Sequence, residues 1–186
     1  MGFTIIIDGT NFIFELNRHG RDKDYILNTL EFPHLHAIIQ QELINYGLAG
    51  KPFYHTEFIC SKKPLGNLSS EDSTKVIKKL KRERGVVVNQ IVQGKSSEQE
   101  KAVDMTVFSR MLAMGEKPWD HIVLVTRDKD FVPAIRELMN KKIHVVLIGF
   151  DDGKYPIDLI NECFLFLDLE KLLNEMERRI TAAKTK

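Results

Sequence analysis

An α/β fold built on a mainly parallel sheet is what this chain predicts. Apolar runs of strand length recur at 3–7, 53–60, 86–92, 122–126 and 143–148, and segments of helical periodicity stand between them. That alternation marks parallel strands joined through helices. A further observation bears on function: Asp8 and Asn11 follow the first run, and Asp128 and Asp130 follow the fourth. In open parallel sheets, ligands gather outside the carboxyl ends of the strands. Carboxylates from distant stretches of chain crowded at one edge repel each other and take up protons unless a cation lies between them, which points to a hard divalent metal.

The first run, Phe3-Thr4-Ile5-Ile6-Ile7, reads as a buried strand and leaves through Asp8-Gly9-Thr10-Asn11. The turn puts a carboxylate and an amide at the sheet edge, where they can hold a metal and orient water or phosphate, or instead cap the free amides of a following helix. Residues 17–31 are charged and carry Gly20, which predicts a surface loop, and a helix is predicted over 34–47. Residues 61–70, with Pro64 and Gly66, predict a second loop. The helix predicted over 72–84 carries Lys75, Lys78, Lys79 and Arg82 on one face and Val76, Ile77 and Leu80 on the other. Such a stripe follows a phosphate backbone or is simply a solvated face.

Ser97 and Glu100 have the spacing of a capping box and open a helix predicted over 98–114. Asp104 falls in its second turn, too far in to act as a cap, beside an apolar face of Val103, Val107, Met111 and Met114. It is either a solvated carboxylate paired with Lys101 at i, i+3 or a site residue stacked over Glu100 at i, i+4. The fourth strand ends in Thr126-Arg127-Asp128-Lys129-Asp130-Phe131, and Pro133 suits the first turn of a helix over 131–140. Asp130 is expected to be the N-cap of that helix, with a water-mediated metal contact as a compatible second role. Asp128, nearer the strand, is the better metal candidate. Asn140 is expected as a left-handed C-terminal cap. In the last helix, over 168–181, Leu169, Leu172, Leu173, Met176 and Ile180 form a stripe for core packing or for a homodimer seam.

At 186 residues the chain predicts one domain, residues 1–186, with a core that needs neither disulfides nor a structural metal. Lys plus Arg number 27 against 26 Asp plus Glu, so any attraction to nucleic acid is local. Cys60 and Cys163 suit a reduced protein in the cytoplasm. No stretch predicts a signal peptide, membrane span or lipid anchor. The histidines, at 19, 34, 36, 55, 121 and 144, include no helical i, i+4 pair, and no serine-hydrolase elbow, phosphate-binding loop or dinucleotide fingerprint occurs. Aspartyl-phosphate chemistry of the haloacid-dehalogenase kind fails on spacing, since Thr10 and Phe12 stand where that motif has Asp and Thr.

Together, Ile5-Ile6-Ile7-Asp8-Gly9-Thr10-Asn11, Lys101-Ala102-Val103-Asp104 and Val125-Thr126-Arg127-Asp128-Lys129-Asp130-Phe131 resemble, in order and spacing, the NYN domain, LabA-like branch, of the PIN-like nucleases. The resemblance implies a three-layer α/β/α fold and cleavage of RNA with Mg²⁺ or Mn²⁺. On motif match, Asp8, Asp104 and Asp128 inherit the metal role, Asn11 a supporting polar role and Asp130 a further acidic role. Thr126, Arg127, Lys101 and the stripe Lys75, Lys78, Lys79 and Arg82 are the candidate substrate contacts. The chain departs from the family where Thr126-Arg127-Asp128 replaces Ser-Gly-Asp and Lys101-Ala102-Val103-Asp104 replaces Lys-Gly-Val-Asp. Arg127 either obstructs the approach of phosphate or contacts it. The competing expectation is a non-catalytic module of the same fold that binds RNA or docks a protein partner.

Overall fold

The computed structural model describes residues 3–48, 53–62, 64–91, 96–115 and 121–185. The strands are β1 (Phe3–Asp8), β2 (Phe53–Ser61), β3 (Val86–Ile91), β4 (His121–Val125), β5 (His144–Gly149) and β6 (Leu165–Asp168). They form one sheet of six strands in the order β3-β2-β1-β4-β5-β6, and every neighbouring pair is parallel. The helices are α1 (Gly9–Arg18), α2 (Lys23–Asn28), α3 (Phe32–Asn45), α4 (Ser70–Leu80), α5 (Ser96–Gly115), α6 (Val132–Asn140), α7 (Ile157–Glu162) and α8 (Leu169–Lys184).

Strand alternation divides the core into two apolar layers. Ile5 and Ile7 of β1 join Phe58, Val123 and Val146 under α1, α2, α3, α4 and α8. Ile6 joins Ile59, Leu124 and Leu147 under α5, α6 and α7. Both faces of the sheet are therefore covered, which is why these strands read as unbroken apolar runs. The architecture is α/β/α, as expected. The strand order reverses at β1, whose neighbours are β2 and β4. Ile7 is level with Val125 there, so the turns beginning at Asp8 and Thr126 leave the sheet side by side, at the switch point where ligands of such sheets bind.

The expected elements are present with shifted ends, and others were unforeseen. The loop expected over 17–31 contains α2, a six-residue helix started by Asp22, whose carboxylate accepts from the amides of Asp24 and Tyr25. Only Ile26 of that helix is buried, so it carries no readable period. α1, α7 and the four-residue strand β6 were also missed. The left-handed residue after α6 is Lys142, at φ 61°, rather than Asn140, which is the helix's last residue. α5 begins at Ser96, one residue before the expected cap, and the Ser97 side chain lies outside the described residues. The stripe Leu169, Leu172, Leu173, Met176 and Ile180 is buried within this chain as core.

Gly149 ends β5 against the ring of Tyr155, which a Cβ at that position would overlap. The Tyr155 hydroxyl in turn donates to the Thr126 carbonyl, so the ring braces the turn after β4. Gly149→Ala is expected to cost about 1–3 kcal/mol through overpacking, read as a lower urea midpoint at unchanged slope.

Candidate active site

Asp8 closes a strand whose six residues are all buried, and its carboxylate starts α1 by accepting from the Asn11 amide at 3.2 Å. Between them Gly9 passes so near β2 that a Cβ would lie 2.9 Å from the Ile59 carbonyl oxygen and would overlap the Phe58 ring. Only glycine fits that crossing. The Asn11 side-chain oxygen accepts from the Arg127 amide at 3.1 Å, so Asn11 ties the turn after β1 to the turn after β4.

The second turn is built the same way. Thr126 Oγ1 accepts from the Asp128 amide at 3.1 Å, and Asp128 accepts from the Asp130 amide at 2.9 Å. Asp128 is thus the N-cap of a 3-10 turn, Lys129–Phe131, that leads into α6. This corrects the assignment of that cap to Asp130, which instead lies inside the turn with its side chain exposed. The intervening 3-10 turn moves the capping position two residues back. Capping leaves part of the Asp128 carboxylate facing outward.

Asp104 arrives from α5. Val103 and Val107 seat the helix on the sheet, and Asp104, half-buried beside them, faces a cavity of about 400 Å³ that Asp8, Asn11 and Asp128 also line. The three aspartates, remote in sequence, therefore share one cavity. Burial pushes the Asp8 carboxyl up to about 7, against the pull of the Asn11 amide, and the charges of Asp104 and Asp128 add to the rise. Burial raises Asp104 as well, followed by Asp128, Asp130 and Glu100. Among the described residues Asp104 makes no ion pair; Lys101, its expected partner, is exposed and outside the cavity lining. No Lys or Arg among the described residues lines this cavity.

That donor set fits a hard divalent cation, because it offers carboxylate oxygens with no resident positive charge. Among the described residues no three His, Cys, Asp or Glu side chains are set as a closed metal-binding group. The geometry is an open acidic pocket, suited to an ion such as Mg²⁺ that keeps several waters of its own.

Arg127 turns elsewhere. Its guanidinium donates to Glu15 at 2.9 Å and to both oxygens of Asp152 at 3.0 and 3.1 Å, with Arg18 also 3.2 Å from Asp152. Although desolvation opposes it, the Arg127 contact holds the Asp152 carboxyl down to about 2. Arg127 is therefore a half-buried latch between α1, the turn after β4 and the turn after β5, and it lines a separate small cavity with Tyr155. The hydroxyl of Thr126 likewise serves the backbone. Within the α4 stripe, Lys75 is paired with Glu71 and Lys79 with Glu83. Lys78 instead joins Lys62 and Lys81 around a groove of about 370 Å³ beside β3.

Residues not assigned to the site from sequence also line the acidic cavity: Glu100, Thr10, Phe14 and Gly66. The i, i+4 spacing of Glu100 to Asp104 is apparent in the sequence, whereas Phe14 was detectable from its i, i+3 spacing to Asn11.

The family model described as NYN domain matches residues 4–170. Among solved structures, a protein of unknown function, VPA0982 from Vibrio parahaemolyticus RIMD 2210633, is similar in fold at TM-score 0.57 and 14% identity, over 90% of this chain and 92% of that one. No curated protein matches.

Two outcomes follow from the electrostatics. An acid whose folded value is raised, as at Asp8, contributes most below its unfolded value near 3.8, and that stability is lost as pH rises through about 7. In chelator, the unfolding free energy from urea titration, relative to Asp8→Asn, should fall between about pH 4 and pH 7 by at most about 4 kcal/mol. His36, which burial holds down to about 4, tilts both proteins alike in the opposite direction, so the difference between them isolates Asp8. Arg127→Met leaves Glu15 and Asp152 with Arg18 as their remaining guanidinium partner and is expected to cost about 1–3 kcal/mol in thermal or urea unfolding.

Proposed function

Because this chain belongs to the NYN domain family, we propose that it is a metal-dependent endoribonuclease. The observation that carries the reading is the convergence of Asp8, Asp104 and Asp128 on one cavity with no cationic side chain in its described lining. Asp8, Asp104 and Asp128 would hold Mg²⁺ or Mn²⁺. When bound, such an ion supplies Lewis acidity towards the scissile phosphate and the attacking water.

The chain's own residues prepare that event. The buried Asp8 carboxylate, charged only at a cost without a cation, becomes fully ionised when one is present. Asn11 fixes the distance between the two turns by holding the Arg127 amide, so Asp8 and Asp128 keep their separation while charge changes in the pocket. Asp130, exposed and near enough for its charge to raise Asp104, would help orient water around such an ion. Lys62, Lys78 and Lys81 offer positive charge to the flanking RNA backbone. The non-catalytic alternative drew on Arg127 as an obstruction, and engagement of its guanidinium by Glu15 and Asp152 removes that support.

Asp128→Asn is a clean test, because asparagine caps a helix start as well as aspartate does while removing the charge. Cleavage of mixed cellular RNA in Mn²⁺ is expected to drop by about a hundredfold or more with an unchanged melting curve, and chelator should do the same to the parent protein. Activity surviving both would reject the reading. Cleavage of an all-deoxy strand would show that the 2′-hydroxyl is not the nucleophile.

A further inference from the structure

The acidic cavity has a second kind of wall. Phe14 lines it together with the three aspartates, and the residue is 49% exposed. A single exposed aromatic is ordinary on a protein surface, but Tyr46, Tyr54 and Phe164, comparably exposed, do not line this cavity. α1 sets the geometry. Thr10, Asn11 and Phe14 are spaced i, i+3 and i, i+4 and share one helical face, which places Phe14 about 9 Å along the helix axis from Asp8.

The position is held by fixed structure. Gly66, at φ 56°, lies against the α1 backbone, where a Cβ would fall 2.9 Å from the Phe14 amide nitrogen and 3.3 Å from its Cβ. Leu65 beside it is buried, and its amide donates to Ser73 Oγ at 2.9 Å. The loop thus packs on the main chain of Phe14 and leaves its ring open to the cavity. The two walls suit two parts of one ligand. The carboxylates admit a phosphate only through a cation, whereas the neutral ring face accepts a nucleobase in stacking, whatever its identity.

We propose that Phe14 is the stacking platform for one unpaired base next to the scissile phosphate, which makes single-stranded or looped RNA the substrate class. The inference rests on the nuclease reading and deepens it. Bases within a duplex are already stacked on their neighbours and cannot reach a side chain this way, so extrusion from a helix would be needed first.

The test uses the full chain and a single-stranded RNA oligonucleotide, intact or with an abasic ribose scanned through each position. Binding is measured in the Asp128→Asn background and cleavage in the parent with Mn²⁺. Phe14→Ala is expected to weaken binding of the intact strand about tenfold and to raise KM more than it lowers kcat, with an unchanged melting temperature. Phe14→Trp should restore both. On the strand whose abasic position lies beside the cut, Phe14→Ala should add no further loss. Equal binding and cleavage of the intact strand by Phe14→Ala, or the same loss on the abasic strand, would overturn the platform while leaving the nuclease reading intact. Absence of cleavage by the parent would overturn the nuclease reading, and the binding arm would still decide the platform.

Discussion

Burial of carboxylates, with repulsion between them added, is the cost around which this molecule is arranged. Asp8, Asp104 and Asp128 face one another across a cavity with no positive side chain in its described lining; the charges of Asp104 and Asp128 raise the cost of ionising Asp8, and that of Asp128 the cost of ionising Asp104. A flexible surface would relieve that cost by moving the acids apart. Here each turn is fixed by hydrogen bonds that do not depend on the charge state of Asp104: Asn11 to the Arg127 amide, Thr126 to the Asp128 amide, and Tyr155 to the Thr126 carbonyl. Behind them the Arg127 latch pairs both carboxylates it touches, Glu15 and Asp152. Compensated charge lies behind the site and uncompensated charge within it.

The frame beneath is hydrophobic. Because β1 is covered on both faces, a one-residue slip of register would exchange Ile6 for Ile5 and Ile7 between two differently shaped layers. That fixes the level at which Asp8 emerges. α5 is held in a comparable way, since Val103 and Val107 are buried against the sheet and Asp104 follows directly after the first of them. Burial of such side chains contributes roughly 1.5–3 kcal/mol each, enough to hold one carboxylate in an unfavourable field.

Fold class and the convergence of the site were readable in sequence because both follow from position along strands. An acid just past a buried parallel strand can only lie at the carboxyl edge, so Asp8 and Asp128 were fixed once the runs at Ile5 and Leu124 were recognised. Asp104 was readable only by motif, since nothing in helical spacing states which strand the helix crosses. What failed was decided by contacts between distant segments. The length of the Arg127 side chain does not reveal that Glu15 and Asp152 wait for it 112 and 25 residues away. The 3-10 turn that gave the cap to Asp128 arises from the approach to α6, not from residue preference, because Asp is a good cap at either position. α2 and β6 are too short to express a period.

The nearly even count of charges, 27 basic against 26 acidic, conceals a segregation that the fold creates. The acids that matter gather at the switch point, whereas Lys62, Lys78 and Lys81 gather round the groove between α4 and β3. At physiological ionic strength, fields between exposed charges fade over about 8 Å, so a polyanion responds to these patches separately rather than to the total. The basic groove attracts phosphate directly; the acidic cavity repels it until a cation intervenes. The two fields therefore act on a polyanion with opposite sign at two separate places on the surface. Composition alone cannot express that segregation, because it depends on where the fold places each charge.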